Sequence, residues 1–282
     1  NLAIGNFQRA LELDSSNHLL YLYQARALAA AGRHGEAIQS FRNFASRLTS
    51  RDEALYLSQT QVEMGMSYLG EGDLARAAEV FRLALKANPR DSKALHGLAK
   101  VALEKKDWAE ARDHLKKALQ IEPKSRDYLI SLAELQGREG NWNEAVLTLQ
   151  KAVTENPNEP TLYEVLGRAL RKAGRAQESA TVFRRGAELF PSEQGRFFWL
   201  EARVEARRGR FGEAASLFRR AIERNPDNWR IYADLAETCQ QLGEVREAMK
   251  VLEKAFHCAP ERDREELKRL QLILQTQSIR EG

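Results

Sequence analysis

The sequence predicts an all-α protein built from repeated pairs of antiparallel helices. A stretch from Trp108 to Pro123, WAEARDHLKKALQIEP, returns 34 residues later as WNEAVLTLQKAVTENP. Prolines follow the same step at Pro89, Pro123, Pro157 and Pro191, and then at Pro226, 35 residues on, and Pro260, 34 after that. A period between about 20 and 50 residues is typical of a solenoid, in which each unit buries its apolar face against its neighbours.

Composition agrees with this fold class. Of the 282 residues, 30% are charged and 43% hydrophobic, with only 7 prolines and 17 glycines, which is typical of a soluble, well-ordered helical protein. No run of 18 apolar residues and no leader-like start occur in the sequence, so we expect no membrane insertion of this segment.

The second helix of each unit is predicted from small and large residues spaced i, i+4, i+7. In the unit that ends at Pro89, Ala77 and Ala84 flank Phe81. The same set recurs as Ala111, Leu115 and Ala118; Ala145, Leu149 and Ala152; Ser179, Phe183 and Gly186; Ala214, Phe218 and Ala221; and Ala248, Leu252 and Ala255. Because small side chains let helices approach closely, we expect this stripe to lie in the core.

The first helix of each unit pairs a mostly large residue with a small one, as in Leu98 and Ala99. In most units a glycine follows it: Gly72, Gly140, Gly174, Gly209 and Gly243. Since glycine adopts the left-handed conformation that commonly ends helices, the unit is predicted to be helix, turn, helix.

These positions resemble the tetratricopeptide repeat family, whose 34-residue pattern of large, small, aromatic, Ala, Phe, Ala and Pro positions is matched over essentially the whole chain. The resemblance implies a right-handed α–α superhelix with a concave groove lined mainly by the first helices. It also implies that the groove captures peptides or proteins.

Seven full repeats are predicted, at residues 18–51, 58–91, 92–125, 126–159, 160–193, 195–228 and 229–262. Residues 52–57 and Gln194 interrupt the frame, and the first interruption is expected to lengthen the next helix or the turn before it. The first repeat is degenerate, with Phe44 where a small residue is usual and Thr49 where proline is usual.

Both ends of the sequence depart from a full repeat. Residues 1–17 match only a second helix, from which we expect the chain to be a fragment of a longer array. Residues 263–282 form one more first-type helix, with Gln271 where full repeats have Ala or Gly. This pattern is typical of a solvating helix that caps an array.

No catalytic or metal-binding constellation emerges from the sequence, so we expect a protein that is not an enzyme and needs no cofactor. The segment GEGDLA, residues 70–75, lacks both a P-loop lysine and a preceding strand, and it is interpreted as a turn between helices. Five histidines are scattered without ligand spacing, and Cys239 and Cys258 are expected to be free thiols.

The groove-facing phase of the first helices predicts a partner-binding surface made of Lys93, His96, Lys100, Arg168, Arg171, Lys172, Arg196, Trp199, Arg203 and Arg207. Residues 160–228 contain 14 Lys or Arg against 9 Asp or Glu, an excess larger than the +4 of the whole chain. An acidic extended segment, with Trp199 as an apolar anchor, fits this surface. The alternative is a solvated face partly paired with Glu164, Glu201 and Glu205.

The function predicted from these observations is a non-catalytic scaffold that binds an acidic protein segment. One alternative is the repeat region of a bacterial machine for polysaccharide synthesis, export or secretion that recruits an enzyme, since the "NP" turns and "EA" helix starts are typical of bacterial arrays. RNA binding is a weaker alternative, because aromatic residues do not recur unit by unit and the basic excess is small. We therefore expect no nucleic-acid partner.

Overall fold

The computed structural model describes residues 2–48 and 50–281, with side chains described at 2–48 and 56–277. Within these residues the chain forms sixteen α-helices and two short 3-10 helices, and it contains no strand. The all-α prediction is therefore confirmed. The chain divides into two compact units, a first unit at Asn1–Glu139 and a second unit at Gly140–Gly282.

Eight helices make up the first unit. They are α1 (Leu2–Leu13), α2 (His18–Ala30), α3 (His34–Ala45), α4 (Ser50–Glu71), α5 (Leu74–Ala87), α6 (Ser92–Lys105), α7 (Trp108–Ile121) and α8 (Arg126–Arg138). Each helix packs against the next in chain order, and the even-numbered helices also touch one another, α2 with α4, α4 with α6 and α6 with α8. We call the even-numbered helices first-type and the odd-numbered helices second-type.

Eight more α-helices make up the second unit. They are α9 (Trp142–Glu155), α10 (Pro160–Lys172), α11 (Ala176–Leu189), α12 (Gln194–Arg207), α13 (Phe211–Arg224), α14 (Trp229–Gln241), α15 (Val245–Cys258) and α16 (Arg264–Glu281). The 3-10 helices at Pro191–Glu193 and Glu261–Asp263 precede α12 and α16. Sequential packing recurs here, and the first-type helices α12, α14 and α16 touch in series.

The small-large-small stripe of the second-type helices lies in the core, as expected. Phe81 is fully buried between two first-type helices, since a Cβ added at Gly65 on α4 or at Gly97 on α6 would meet its ring at 2.7 or 2.3 Å. Ala77 and Ala84, on either side of Phe81, are also fully buried. Glycine is thus needed where a ring of one helix pair enters the backbone surface of the next.

In the second unit the equivalent side chains of α11, α13 and α15 belong to one apolar core. Phe183, Phe218 and Leu252 are each at most 2% exposed and belong to a single apolar cluster. The cluster extends to α16, where Leu267 and Leu274 are almost completely buried. The last helix is therefore packed against α15 by its apolar face.

The turns confirm the expected role of glycine. All five predicted glycines, and also Gly32, have φ between +74° and +87°. The turn after α6 has Lys106 in this conformation instead, with φ +61°, so a non-glycine residue carries the left-handed geometry there. GEGDLA is also a turn: α4 ends at Glu71, and the side chain of Asp73 accepts the N–H of Arg76 as an N-cap of α5.

The irregular first repeat has a distinct packing. Helix α4 is 22 residues long, against 12 to 14 for the other helices of this unit, and it includes residues 52–57. Phe44, which replaces a small residue, is fully buried and lies 5.8 Å from the ring of His18 and 5.9 Å from that of Tyr56. Thr49 and the side chains of residues 52–55 lie outside the described part of the chain.

Candidate partner-binding surfaces

In the second unit, the predicted basic residues lie on two first-type helices. Arg168, Arg171 and Lys172 belong to α10, and Arg196, Arg203 and Arg207 belong to α12. Spacings of three and four residues place them along one side of each helix. The side chains of Arg168, Arg196 and Arg203 are 56%, 50% and 45% exposed, so their guanidinium groups are open to solvent.

A buried carboxylate joins these two helices. Glu164 on α10 is only 5% exposed, and it pairs with Arg168 on its own helix and with Arg196 of α12. The Arg196 Nη2 to Glu164 Oε2 distance is 2.5 Å. Two guanidinium groups share one carboxylate, so this cluster keeps one positive charge in excess and holds both arginines in place.

Trp199 is tied to the next first-type helix. Its Nε1 donates a hydrogen bond to Oδ2 of Asp234 on α14 at 2.6 Å, and the Arg203 guanidinium lies 5.4 Å from its ring centroid. Arg203 Nε is also 3.5 Å from the same Asp234 oxygen. Trp199 is half-buried against the core, so the indole is a structural link between α12 and α14 as well as a surface group.

A shallow cleft of about 350 Å³ lies beside this link. Its wall includes Arg203, Arg207, Asp234, Glu237 and Leu270. Burial raises the pKa of Asp234, against the lowering effect of the Trp199 hydrogen bond and of Arg203 and Arg207. Burial also raises the pKa of Glu237, and the charge of Asp234 raises it further. Helix α14 therefore places two carboxyl groups, Asp234 and Glu237, beside the arginines of α12.

Two more carboxylates, both on α12, are buried. Glu201 accepts two hydrogen bonds from Arg184 of α11, at 2.6 and 2.9 Å, and Glu205 accepts from Arg208 at 2.8 Å. Both glutamates are 1% exposed, and burial raises the pKa of Glu201 despite its partner. The sequence-based alternative, in which the predicted arginines are partly paired with these glutamates, fits Glu164 alone. The partners of Glu201 and Glu205 are Arg184, Arg208 and Arg210, which are not among the predicted residues.

In the first unit, the predicted residues Lys93, His96 and Lys100 lie on α6, with Lys93 exposed and His96 only 8% exposed. His96 Nε2 lies 2.7 Å from Oγ of Ser131 on α8. Burial lowers the pKa of His96 to about 4, with Lys100 lowering it further and Asp127 raising it. His96 is therefore a neutral hydrogen-bonding group between two first-type helices at pH 7.

His96 also belongs to the wall of a pocket of about 660 Å³ between α2, α4, α6 and α8. Its apolar lining comes from Ala29, Phe41, Val62 and Met66. None of these four residues was among the predicted site residues. The sequence does contain a signal for two of them, because Val62 and Met66 precede His96 and Lys100 by 34 residues and so share their groove-facing phase.

Other kinds of site are not found in the part of the chain that the structure describes. No group of three or more His, Cys, Asp or Glu side chains is arranged to hold a metal ion there. None of the described helices has the length and the apolar character needed to cross a bilayer. Cys239 is buried, Cys258 is partly exposed, and both are free.

Comparison with known proteins assigns the chain to a family. One tetratricopeptide repeat profile matches residues 102–167 and 206–272, and a second matches residues 1–48 and 62–126. The chain belongs to the tetratricopeptide repeat family. Members of this family present repeated helix pairs as scaffolds for protein–protein interaction. No curated protein matches this sequence.

Solved tetratricopeptide repeat structures share the fold. Yeast Tom70 superimposes with a TM-score of 0.71 at 16% identity, over 99% of this chain and 58% of its own. A tetratricopeptide repeat protein from Parabacteroides merdae superimposes with a TM-score of 0.61 at 14% identity, over 92% of this chain and 98% of its own. Pseudomonas aeruginosa pilF superimposes with a TM-score of 0.58 at 19% identity, over 76% of this chain and 95% of its own. At these identities, the likeness establishes the solenoid fold.

Proposed function

We propose that this tetratricopeptide repeat protein is a non-catalytic scaffold whose second unit binds an extended acidic segment of a partner protein. The observation that carries the proposal is the pair of arginines held by Glu164. Because a buried carboxylate fixes Arg168 and Arg196, their outward N–H groups are already oriented before a partner arrives. Each guanidinium has five donors and uses only part of them on Glu164.

The neighbouring charges favour an anionic partner. Lys172 and Arg207 are exposed, and neither forms an ion pair within the described part of the second unit. A carboxylate of the partner could therefore bind them without first breaking an internal pair. Hydrogen bonds between guanidinium and carboxylate groups are charge-assisted and stronger than neutral ones. Exposed Glu237 on α14 would repel the same partner, which limits the proposed surface to α10 and α12.

The test uses a fluorescein-labelled peptide of Asp and Glu with Gly and Ser spacers, titrated with the full chain. The variant Arg171→Glu, Lys172→Glu and Arg207→Glu should bind about tenfold or more weakly, since it reverses three inner charges and keeps the pairs of Glu164 intact. The control variant Arg185→Glu, Arg219→Glu and Arg246→Glu changes the net charge equally on the second-type helices α11, α13 and α15.

The control variant should bind within about twofold of the unmodified protein. Equal losses in both variants would mean that only net charge matters and would contradict a defined surface. A labelled single-stranded RNA is the second comparison, expected to bind weakly and with a flat salt dependence. Tight, steeply salt-sensitive RNA binding would instead favour a nucleic-acid partner.

A further inference from the structure

The first-unit pocket carries an inference that is independent of the basic surface. It lies between the first-type helices α2, α4, α6 and α8 and has a volume of about 660 Å³. This volume is within the range of about 300–1,000 Å³ that is usual for ligand pockets. We propose that this pocket is a second binding site, which takes an uncharged polypeptide segment carrying a large apolar side chain.

The interior of the pocket is apolar and partly open. Phe41 and Val62 are buried, and Ala29 lies beside them. Met66 is 38% exposed, one of the exposed large apolar residues of the chain, and it lies in this concave site instead of on an outer helix face. Covering Met66 and the adjacent wall would remove apolar surface from water, which is the main driving force for such a contact.

Most charges around the pocket already have partners. Arg26 donates to both carboxylate oxygens of Glu63 at 2.8 Å, so this pair is neutral as a unit. Arg126 Nε donates to Asp127 Oδ1 at 3.0 Å, and Glu122 accepts a hydrogen bond from Ser92. A charged ligand would have to compete with these contacts and would lose its own hydration.

The rim offers both signs of charge instead of one. Lys93 supplies a cation, and Asp127 and Glu122 supply carboxylates, all exposed at the edge of the pocket. The dipoles of peptide N–H and C=O groups can be satisfied by such a mixed rim, whereas a free hydrocarbon or lipid tail gains nothing from it. This balance selects a neutral peptide segment as the occupant, in contrast with the acidic segment proposed for the second unit.

The site also has a fixed frame. Tyr128 Oη donates to Oγ of Ser92 at 3.0 Å, and the Tyr128 ring centroid lies 4.7 Å from that of His96. The ring pair and the hydrogen bond between His96 and Ser131 hold α6 and α8 together at the pocket wall. A pocket with such a frame is largely formed before binding, so little ordering cost opposes the ligand.

The experiment follows the methionine methyl groups by carbon-13 NMR in the full chain. The sequence has three methionines. Met66 lines the pocket, whereas Met64 packs against the core of the first unit and Met249 packs in the second unit. The probe is the capped pentapeptide Gly-Ser-Phe-Ser-Gly with a fluorinated Phe ring, and its Ala counterpart is the control. We expect the Met66 signal to shift saturably with the Phe peptide alone, while the Met249 signal stays unchanged.

Two variants test the same pocket independently, so that the test does not depend on the folding of a single variant. Ala29→Phe fills the cavity, and Met66→Gln makes its wall polar. Each should weaken binding of the Phe peptide by about tenfold, as read from the fluorine signal. The remaining methionine signals report that each variant is folded. The variant that reverses Arg171, Lys172 and Arg207 should bind the Phe peptide normally, so the failure of the proposed acidic-segment surface and the failure of this pocket are distinguishable.

Three results would overturn the proposal. The first is a Met66 signal that does not move, or that moves equally with the Ala peptide. The second is unchanged affinity in both pocket variants. The third is a larger shift of the Met66 signal with toluene than with the Phe peptide, which would indicate a site for small apolar molecules and not for a polypeptide.

Discussion

The two units are built from the same kind of helix pair but bury different polar side chains. Among the described side chains, those of polar residues buried in the first unit belong to Ser, Thr, Gln and His, as in the contact between His96 and Ser131. The second unit buries three glutamates, Glu164, Glu201 and Glu205, each paired with arginines. Helix pairs of one repeat type therefore carry neutral hydrogen bonds in one unit and ion pairs in the other.

This difference explains the two surfaces. A buried carboxylate is costly without a partner, so each one requires an arginine that reaches it from the surface. The second unit consequently has a surface rich in fixed guanidinium groups. The first unit has no such requirement among its described residues, and its neutral wall leaves an apolar pocket. In the two proposals above, the choice of buried polar group would set what kind of ligand each unit favours.

The largest expected effect is the pH dependence that His96 adds to the first unit. Its pKa of about 4 lies below the ordinary value of 6.5. Between about pH 4 and 6.5, His96 is therefore protonated in the unfolded chain and neutral in the folded chain. The stability contributed by neutral His96 is fully present above about pH 6.5 and is lost as the pH falls to about 4, by about 3 kcal/mol.

Urea unfolding across this pH range measures the effect. His96→Gln should remove this part of the pH dependence, whereas His257→Gln, at an exposed position on α15, should keep it. Glu201 works in the opposite direction, since its raised pKa adds stability as the pH falls. Identical pH profiles for His96→Gln and the unmodified protein would contradict the assignment.

The next effect concerns the close approach of helix pairs in the first unit. In Gly97→Ala the new methyl group would lie 2.3 Å from the Phe81 ring, which is packed as closely against Gly65 of α4, where an added Cβ would lie 2.7 Å away. Because the ring has no space to move into, we expect a loss of about 2 kcal/mol in urea unfolding. Gly5→Ala on α1, where no atom lies within 4 Å, is the control and should lose nothing. Equal stability of the two variants would show that Phe81 is not confined.

A smaller effect distinguishes the buried ion pairs of the second unit from surface pairs. Arg184→Ala removes the hydrogen bonds that buried Glu201 accepts. We expect it to lower the free energy of unfolding by about 1–2 kcal/mol, less than for a fully buried ion pair, because the guanidinium is half exposed. Arg185→Ala breaks only the exposed pair with Glu188 and should cost less than about 0.5 kcal/mol. Chemical denaturation of both variants makes this comparison, and equal costs would mean that Glu201 is no more dependent on its partner than Glu188 is.

The smallest effect has the opposite sign. Gly212→Ala on α13 adds a methyl group that meets no atom within 4 Å, so the gain in helix propensity is uncompensated by strain. Because Gly212 lies in the first turn of α13, we expect a stabilisation of at most about 0.5 kcal/mol in thermal or urea unfolding. Binding of the acidic peptide should stay unchanged, since the ion pairs of Glu164 are untouched. Destabilisation by this variant would indicate a contact that the structure does not contain.

Most of the fold was predictable from spacing alone. The stripe around Phe81 and the glycines after the first-type helices are local patterns with direct physical meaning, and both appear where expected. Lys106 was not predictable, because nothing in its residue type signals a left-handed conformation.

The site was only partly predictable. Exposed Arg168 and Arg203 follow from helix phase, but their carboxylate partners depend on which neighbouring side chain is buried, as with Asp234 beneath Trp199. The apolar pocket was missed because its residues belong to separate helices, and each of them looks like an ordinary core residue in isolation. A cavity is a property of four helices together.

Salt dependence measured on one sample tests the central claim most directly. The Met66 methyl signal reports the Phe peptide, and the indole N–H signal of Trp199 reports the acidic peptide, with sodium chloride raised from about 50 to about 300 mM. We predict that acidic-peptide affinity falls about tenfold over this range, while Phe-peptide affinity stays within about twofold. Equal salt dependence for the two peptides would contradict the claim that the two units recognise different chemistry.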